Sequence, residues 1–198
     1  MSYLGYSKLL ARDFLSLFDD PTVLEIGLDR GQTALPLLHN MSLYCDKYTF
    51  VGVDIKLQKE FTEQVTQLGD ISLVGDQEYG PRKVEFYECN SLFWLASENI
   101  REKYRGKIDL VMIDGDHNYH TVYNELKMLE SFTHDRTLYI CDDYNGKFSK
   151  TDNFIAESGY DFQRNNKHIG SPVRSEKEGV KNAIDDYVRD SSRNWKIL

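Results

Sequence analysis

This chain of 198 residues has few cysteines, no long apolar run and no cluster of positive charge, and each shortage removes a class of function. The three cysteines, Cys45, Cys89 and Cys141, are odd in number, far apart and in no CxxC pair. That spacing argues against a disulfide framework and against a thiolate zinc site. No apolar stretch approaches the ~20 residues that a membrane-spanning helix needs. The opening "MSYLGYSKLLARDF" lacks the basic-then-apolar order of a signal peptide, so a cytoplasmic protein is expected. Lysine and arginine number 24 against 32 acidic residues, for a net charge of −8, and they are scattered among the acids. A nucleic-acid binder needs a basic face to release counterions from phosphates. With no such face visible, the expected partner is a small molecule, neither nucleic acid nor membrane. Internal repeats, linkers and low-complexity tracts are also absent, and one domain over residues 1–198 is expected.

What is present is one unit, repeated: an apolar strand, a polar turn, an amphipathic helix. Strands are expected at "TVLEIG" (22–27), "YTFVGVD" (48–54), "KVEFYECN" (83–90), "IDLVMI" (108–113) and "TLYICDD" (137–143). Helices are expected over about 32–42, 57–68, 92–104 and 119–132. In the last of these Tyr119, Val122, Tyr123, Leu126, Leu129 and Phe132 recur at helical spacing and read as core packing. Leu9, Leu10, Phe14 and Leu17 suggest a covering helix within residues 1–20. Residues 69–82 read as a surface excursion, and the polar stretch 144–175 as a substrate loop or lid. "EGVKNAIDDYVRD" predicts a final helix and "NWKIL" a sixth strand. Alternating strands and helices imply right-handed crossovers, hence an α/β, Rossmann-like doubly wound sheet, mostly parallel, with helices on both faces.

In such a sheet, ligands bind beyond the carboxyl ends of the strands. The end of the first strand, "LEIGLDRGQT", carries Glu25, then Gly27 and Gly31 where the chain turns into a helix. Glycine admits positive φ and close approach, and a helix N-terminus offers free N–H groups. Asp54 ends the second strand, some 20-odd residues later, where an acid suits a ribose diol. A dinucleotide fingerprint would read G-x-G-x-x-G, but Asp29 stands where the second glycine belongs, which speaks against NAD.

The fourth strand ends in "IDGDHNYH" and the fifth in "CDDYN", which places Asp114, Asp142 and Asp143 in one small volume. Carboxylates that close repel one another. A hard divalent cation resolves the conflict, and the absence of local cysteine favours Mg²⁺, Mn²⁺ or Ca²⁺ over zinc. His117 follows Asp114 by three residues, and an imidazole there is suited to act as general base for an acceptor hydroxyl. Asp116 is expected to cap the helix or sit in a solvated turn, and His120 to lie on the surface. His168, in the lid, is a residue that could touch substrate.

These segments resemble the class I S-adenosylmethionine-dependent methyltransferases. E-x-G-x-x-x-G is similar to their first motif, Asp54 to their ribose-binding acid, and Asn90 and Ser91 in "CNS" to their adenine-side segment. Asp114, His117, Asp142 and Asp143 resemble, position by position, the acids and base of the metal-dependent O-methyltransferases. "IDGDHNYHTVYNEL" is most similar to a bacterial group with an I-D-G-x-H-x-Y segment, which includes macrolide-sugar O-methyltransferases and cephalosporin-hydroxylase-like proteins. The resemblance covers residues 20–198, the last helix included. It implies methylation of a small-molecule hydroxyl by S-adenosyl-L-methionine. Cofactor contacts are then expected from Glu25, Gly27, Gly31, Asp54, Asn90, Ser91 and Asp114, metal contacts from Asp114, Asp142 and Asp143, and base catalysis from His117. The family sheet ends in an antiparallel hairpin, and here no sequence remains for its last strand. An uncovered strand edge invites a partner chain, so a homodimer is expected. Two other readings use the same scaffold: a cephalosporin-hydroxylase-like or Rossmann-type oxidoreductase, and a non-catalytic domain that binds S-adenosylmethionine or metal.

Overall fold

The computed structural model describes residues 3–68, 72–73, 81–154 and 173–197. The expected strands form as β1 (Thr22–Ile26), β2 (Tyr48–Asp54), β4 (Arg82–Glu88), β5 (Ile108–Ile113) and β6 (Thr133–Cys141), and a two-residue β3 (Ser72–Leu73) joins them from the stretch read as an excursion. The sheet order is β3-β4-β2-β1-β5-β6, and every pairing is parallel. Chain order reverses between β1 and β5, which is where a doubly wound sheet opens a ligand crevice.

Successive residues of the central strands point to opposite faces, and this alternation builds two cores. Leu24, Ile26, Val51, Val53, Val111 and Ile113 share one cluster with Val122, Leu126 and Leu129 of α6 (Tyr119–Leu129) and Ala183 and Tyr187 of α7 (Val180–Asp190). Val23, Phe50, Leu110 and Met112 share the other with Leu37 and Leu38 of α2 (Ala34–Tyr44) and Phe61 of α3 (Lys59–Thr66). Because both faces are covered, no strand needs a polar face, which accounts for runs such as "LVMI".

Four local expectations are corrected. The single helix over 92–104 is two, α4 (Ser91–Ala96) and α5 (Glu98–Tyr104), separated by an extended Ser97. Leu95 and Tyr104 are both buried, yet nine residues is about 2.5 turns, which would put them on opposite sides of one straight helix. The N-terminal segment is not one regular helix either. After α1 (Tyr3–Leu9) it widens into a π-helical turn at Leu10–Phe14 and ends in a 3₁₀ turn at Leu15–Leu17. The wider turn shifts the inward face, so Ala11 and Leu15 are buried with Leu10, while Leu9 and Leu17 face solvent at 40% and 65% exposure.

The strand expected from Thr137 starts at Thr133, with an irregularity in its pairing opposite Ile108 and Leu110. The Thr137 hydroxyl bridges this irregularity, accepting the His134 N–H and donating to the Ile108 carbonyl. Finally, "NWKIL" adds no strand: among the described residues nothing pairs with the outer edge of β6. Side chains hold the tail instead. Arg193 donates to the Thr133 hydroxyl and to the carbonyls of Glu130 and Thr133, and Trp195 meets Tyr139 edge-on at 4.9 Å. Between tail and α1 an open cleft of about 950 Å³ follows that edge, and none of the expected site residues lines it. No helix among the described residues is long and apolar enough to cross a membrane.

Candidate active site

The turn after β1 is built by its glycines and closed by Asp54. Gly27 and Gly31 have φ of 88° and 75°, and Asp29 joins them in the left-handed region at 42°. A Cβ on Gly27 would come within 2.1 Å of the Asp114 carbonyl oxygen, and one on Gly31 within 2.2 Å of the Phe61 ring. Protein packing alone therefore requires both glycines. They set the bend that presses the β1 turn against the end of β5. The Asp54 carboxylate accepts the N–H groups of Leu28 at 2.6 Å, Asp29 at 3.0 Å and Lys56 at 2.9 Å. An ionised carboxylate has about four acceptor positions, so it can still take a hydroxyl donor.

Beneath this turn lies Glu25, 1% exposed, with an oxygen that has no hydrogen-bond partner. Burial, and then the neighbouring charges of Asp114 and Asp54, push its carboxyl well above the ordinary range. A buried, unpaired acceptor is costly, and native structures usually satisfy one with a ligand or water.

Asn90 and Ser91 both have protein partners. The Asn90 side chain caps α4 by accepting the Leu92 N–H at 2.9 Å. The Ser91 hydroxyl donates to Glu125 at 2.5 Å. Glu125 is fully buried, and its pKa is pushed up to about 8 by burial, against the pull of the Ser91 bond.

At the ends of β5 and β6 the structure brings Asp114, His117 and Asp142 together, each offering a ligand atom within 4.8 Å of the others. Parallel pairing sets this up: the Asp114 N–H donates to Ile26 and the Asp142 N–H to Ile113, so the β1, β5 and β6 ends lie side by side. The Asp114 and Asp142 carboxyls offer oxygens within 4.8 Å of each other. Burial, followed by the charges of Asp142, Asp143 and Asp29, raises the Asp114 pKa. Two carboxylates this close repel each other, and a proton or a cation relieves that repulsion.

Asp143, expected as a third ligand, is not in that group. It turns into the left-handed region at φ 58°, and its carboxylate lies over Gly146, where a Cβ would meet Oδ1 at 1.8 Å. From there Oδ2 stands 3.5 Å from His117 Nδ1, while His117 Nε2 lies 3.8 Å from Asp114. The imidazole thus sits between the acid pair and Asp143.

Three residues around it went unread in the sequence. Asn118, rather than Asp116, caps α6 by accepting the Thr121 N–H, while Asp116 takes the Asn118 amide and the Thr121 hydroxyl. The N-x-x-T spacing was the available signal. The Phe148 ring packs on His117 at 5.3 Å, and Asp152 accepts the Tyr119 N–H at 2.8 Å. Neither carries any motif. Most of the expected lid, residues 155–172 with His168, lies outside the described residues.

Comparison with known proteins gives one family. A family model described as a methyltransferase domain matches residues 24–144, from within β1 to just past Asp142 and Asp143. No curated protein matches the chain in sequence. Among solved structures, the chain is similar to the SAH-bound methyltransferase PaMTH1 of Podospora anserina, with 18% identity, TM-score 0.48 and coverage of 70% of this chain and 51% of that one. MNMC2 of Aquifex aeolicus follows at 13% identity, TM-score 0.44 and coverage of 69% and 44%. TrmK of M. capricolum, in complex with its natural cofactor product S-adenosyl-homocysteine, is similar at 16% identity, TM-score 0.39 and coverage of 70% and 49%. The chain spans about half the length of these solved structures.

Proposed function

The chain belongs to the methyltransferase-domain family, and from that premise we propose that it transfers the methyl group of S-adenosyl-L-methionine to a hydroxyl of a small molecule, assisted by a divalent cation. One observation carries the reading: Gly27 presses on the Asp114 carbonyl, so the glycine turn and the acid pair share one rim. A donor over the turn and an acceptor at the acids would be neighbours, and placing the two reactants is the larger part of such catalysis.

The residues present fit both groups. Glu25, with its unpaired buried oxygen, supplies an acceptor for an ammonium, and Asp54 retains capacity for a ribose hydroxyl. Asp114 and Asp142 would hold Mg²⁺, Mn²⁺ or Ca²⁺, hard ions that take oxygen ligands. When bound, the cation supplies charge that acidifies a hydroxyl, and the cofactor supplies the methyl. The chain's own part is proton handling and placement. His117 takes the acceptor proton at Nε2, and Asp143, 3.5 Å from Nδ1, flanks the other side of the ring. The same cluster supports a second reading in which His117 is itself a cation ligand, since its nitrogen lies within 4.8 Å of both carboxylates.

Calorimetry with S-adenosyl-homocysteine and Mn²⁺, together with methyl transfer to a panel of catechols and sugars, tests the proposal. S-adenosyl-homocysteine should bind in EDTA, and Asp54→Ala or Glu25→Gln should weaken it at least ~10-fold, about 1.4 kcal/mol. Mn²⁺ binding should disappear in Asp114→Asn. If His117→Ala keeps Mn²⁺ but loses transfer, it is a base; if it loses both, it is a ligand. Transfer that survives exhaustive chelation would refute the metal assignment. NADH binding without S-adenosyl-homocysteine binding would refute the donor and favour an oxidoreductase.

A further inference from the structure

The segment that follows β6 folds back between the N-termini of α6 and α7. The first N–H groups of a helix have no partner inside it. Here residues 148–153 supply those partners for both helices. The Val180 N–H donates to the Phe148 carbonyl at 3.0 Å, and the Lys181 N–H to the Ser149 carbonyl at 3.0 Å. A single oxygen of Asp152, Oδ1, accepts the Tyr119 N–H at 2.8 Å and the Gly179 N–H at 2.7 Å. Gly179 can take this place because its φ is 87° and a Cβ there would meet the Ser149 carbonyl at 2.4 Å.

The same segment encloses His117. The Asn153 N–H donates to the His117 carbonyl at 2.9 Å, and the two residues form an antiparallel bridge. Phe148 walls the imidazole at 5.3 Å with 31° between the rings. Backbone and ring of His117 are thus both held by one strap, and Asp152 is the side chain that fastens the strap to the two helices.

We propose that Asp152 is a positioning residue for His117, holding its imidazole between Asp114 and Asp143 by joining the N-termini of α6 and α7. The inference rests on the reading of His117 as the proton-accepting group. The bonds require an acceptor oxygen at Oδ1 and no charge, so Asn should replace Asp while Ala should not.

The test records the imidazole carbon–proton NMR signals of the folded full chain, which has five histidines, with His117→Asn to assign the signal of interest. Asp152→Ala should move the His117 signal away from its ring-shifted position, as Phe148→Leu also should, and leave those of His39 and His134 in place. Asp152→Asn should leave all of them unchanged. In methyl transfer, Asp152→Ala should lower kcat by ~10- to 100-fold, the scale of an ångström-sized misplacement, with KM for S-adenosyl-L-methionine within about twofold. Asp152→Asn should restore kcat. A His117 signal that stays put in folded Asp152→Ala, or Asp152→Asn behaving like Asp152→Ala, overturns the proposal. If Asp152→Ala does not fold, amide exchange in the unaltered protein decides: Tyr119 and Gly179 N–H should exchange slowly, and exchange at the rate of open amides overturns the proposal. If the unaltered protein transfers no methyl group, the functional reading fails while the NMR and exchange results still judge Asp152.

Discussion

Replacing Glu125 by glutamine should flatten the pH dependence of stability between about pH 5 and pH 8, within the span between its unfolded and folded pKa values. Glu125 is 0% exposed, one oxygen accepts the Ser91 hydroxyl at 2.5 Å, and the other has no partner. Its folded pKa of about 8 stands well above an unfolded value near 4.3. The folded state therefore holds a proton that the unfolded state gives up across this window. For a raised pKa the contribution to stability is fully present below the unfolded value and is lost as pH climbs through the folded one. At 1.36 kcal/mol per unit, the full loss is about 5 kcal/mol, and relaxation around a buried charge brings the expected loss to about 2–4 kcal/mol.

Glutamine keeps the carbonyl for Ser91 and cannot ionise. It leaves amide hydrogens unpaired, at a cost of about 1–3 kcal/mol that does not vary with pH. The decisive quantity is thus the slope. Urea unfolding of the two proteins at pH 5, 6, 7 and 8 should give a stability difference that shifts in favour of Glu125→Gln by about 2–4 kcal/mol across the series. Parallel curves would show that Glu125 ionises normally in the fold, and the reasoning about its burial would be wrong.

Gly31→Ala sets a methyl 2.2 Å from the Phe61 ring at a positive φ, and should lower stability by about 3 kcal/mol or more in urea unfolding. Adding Phe61→Leu should return part of that loss, and a double-mutant cycle showing no coupling would contradict the packing account. Gly27→Ala should abolish S-adenosyl-homocysteine binding in calorimetry, because its Cβ can fit only by pushing the β5 end away. Asp186 accepts from Tyr119, Lys177 and Arg189, and these partners hold its carboxyl at about 2. Asp186→Asn should therefore lower Tm at pH 7, with the deficit shrinking as pH falls through the folded value, and a deficit independent of pH would refute the ion-pair origin.

The legibility of this fold follows the reach of each determinant. Strands covered on both faces must be apolar throughout, so "LVMI" and "TFVGV" announce their own burial, and parallel crossovers then require the tips of β5 and β6 to meet. That alone brings Asp114 and Asp142 together. Asp143 could not be placed so, because one left-handed residue turns its carboxylate toward Gly146 and His117, and nothing in "CDDYN" marks which aspartate turns. The break at Ser97 depends on where the core lies relative to Leu95 and Tyr104, a tertiary demand that overrides helical spacing. The tail looked like a strand because it is apolar, yet Arg193 and Trp195 fix it through side chains. Asp152 is further from any pattern. Its partners are 33 and 27 residues away in two helices, and no local period encodes such a contact.

The rim itself explains why this chain tolerates so much unfavourable charge. The carboxyls of Glu25 and Asp114 are both raised by burial and by neighbouring acids, and Asp114 and Asp142 offer oxygens within 4.8 Å of each other. In the folded state this crowding is a cost, because each carboxyl is either forced to keep a proton or left to repel its neighbours. Such perturbed groups gather at sites where a ligand changes the balance. On the proposed function, a hard cation between Asp114 and Asp142, or an ammonium beside Glu25, would remove the repulsion and convert the stored cost into affinity. It follows that Mn²⁺ should raise Tm in the unaltered protein, and more at pH 8 than at pH 6, since protons compete for the same oxygens. An equal rise at both pH values, or an undiminished rise in Asp114→Asn, would place the ion elsewhere and detach the acid pair from binding.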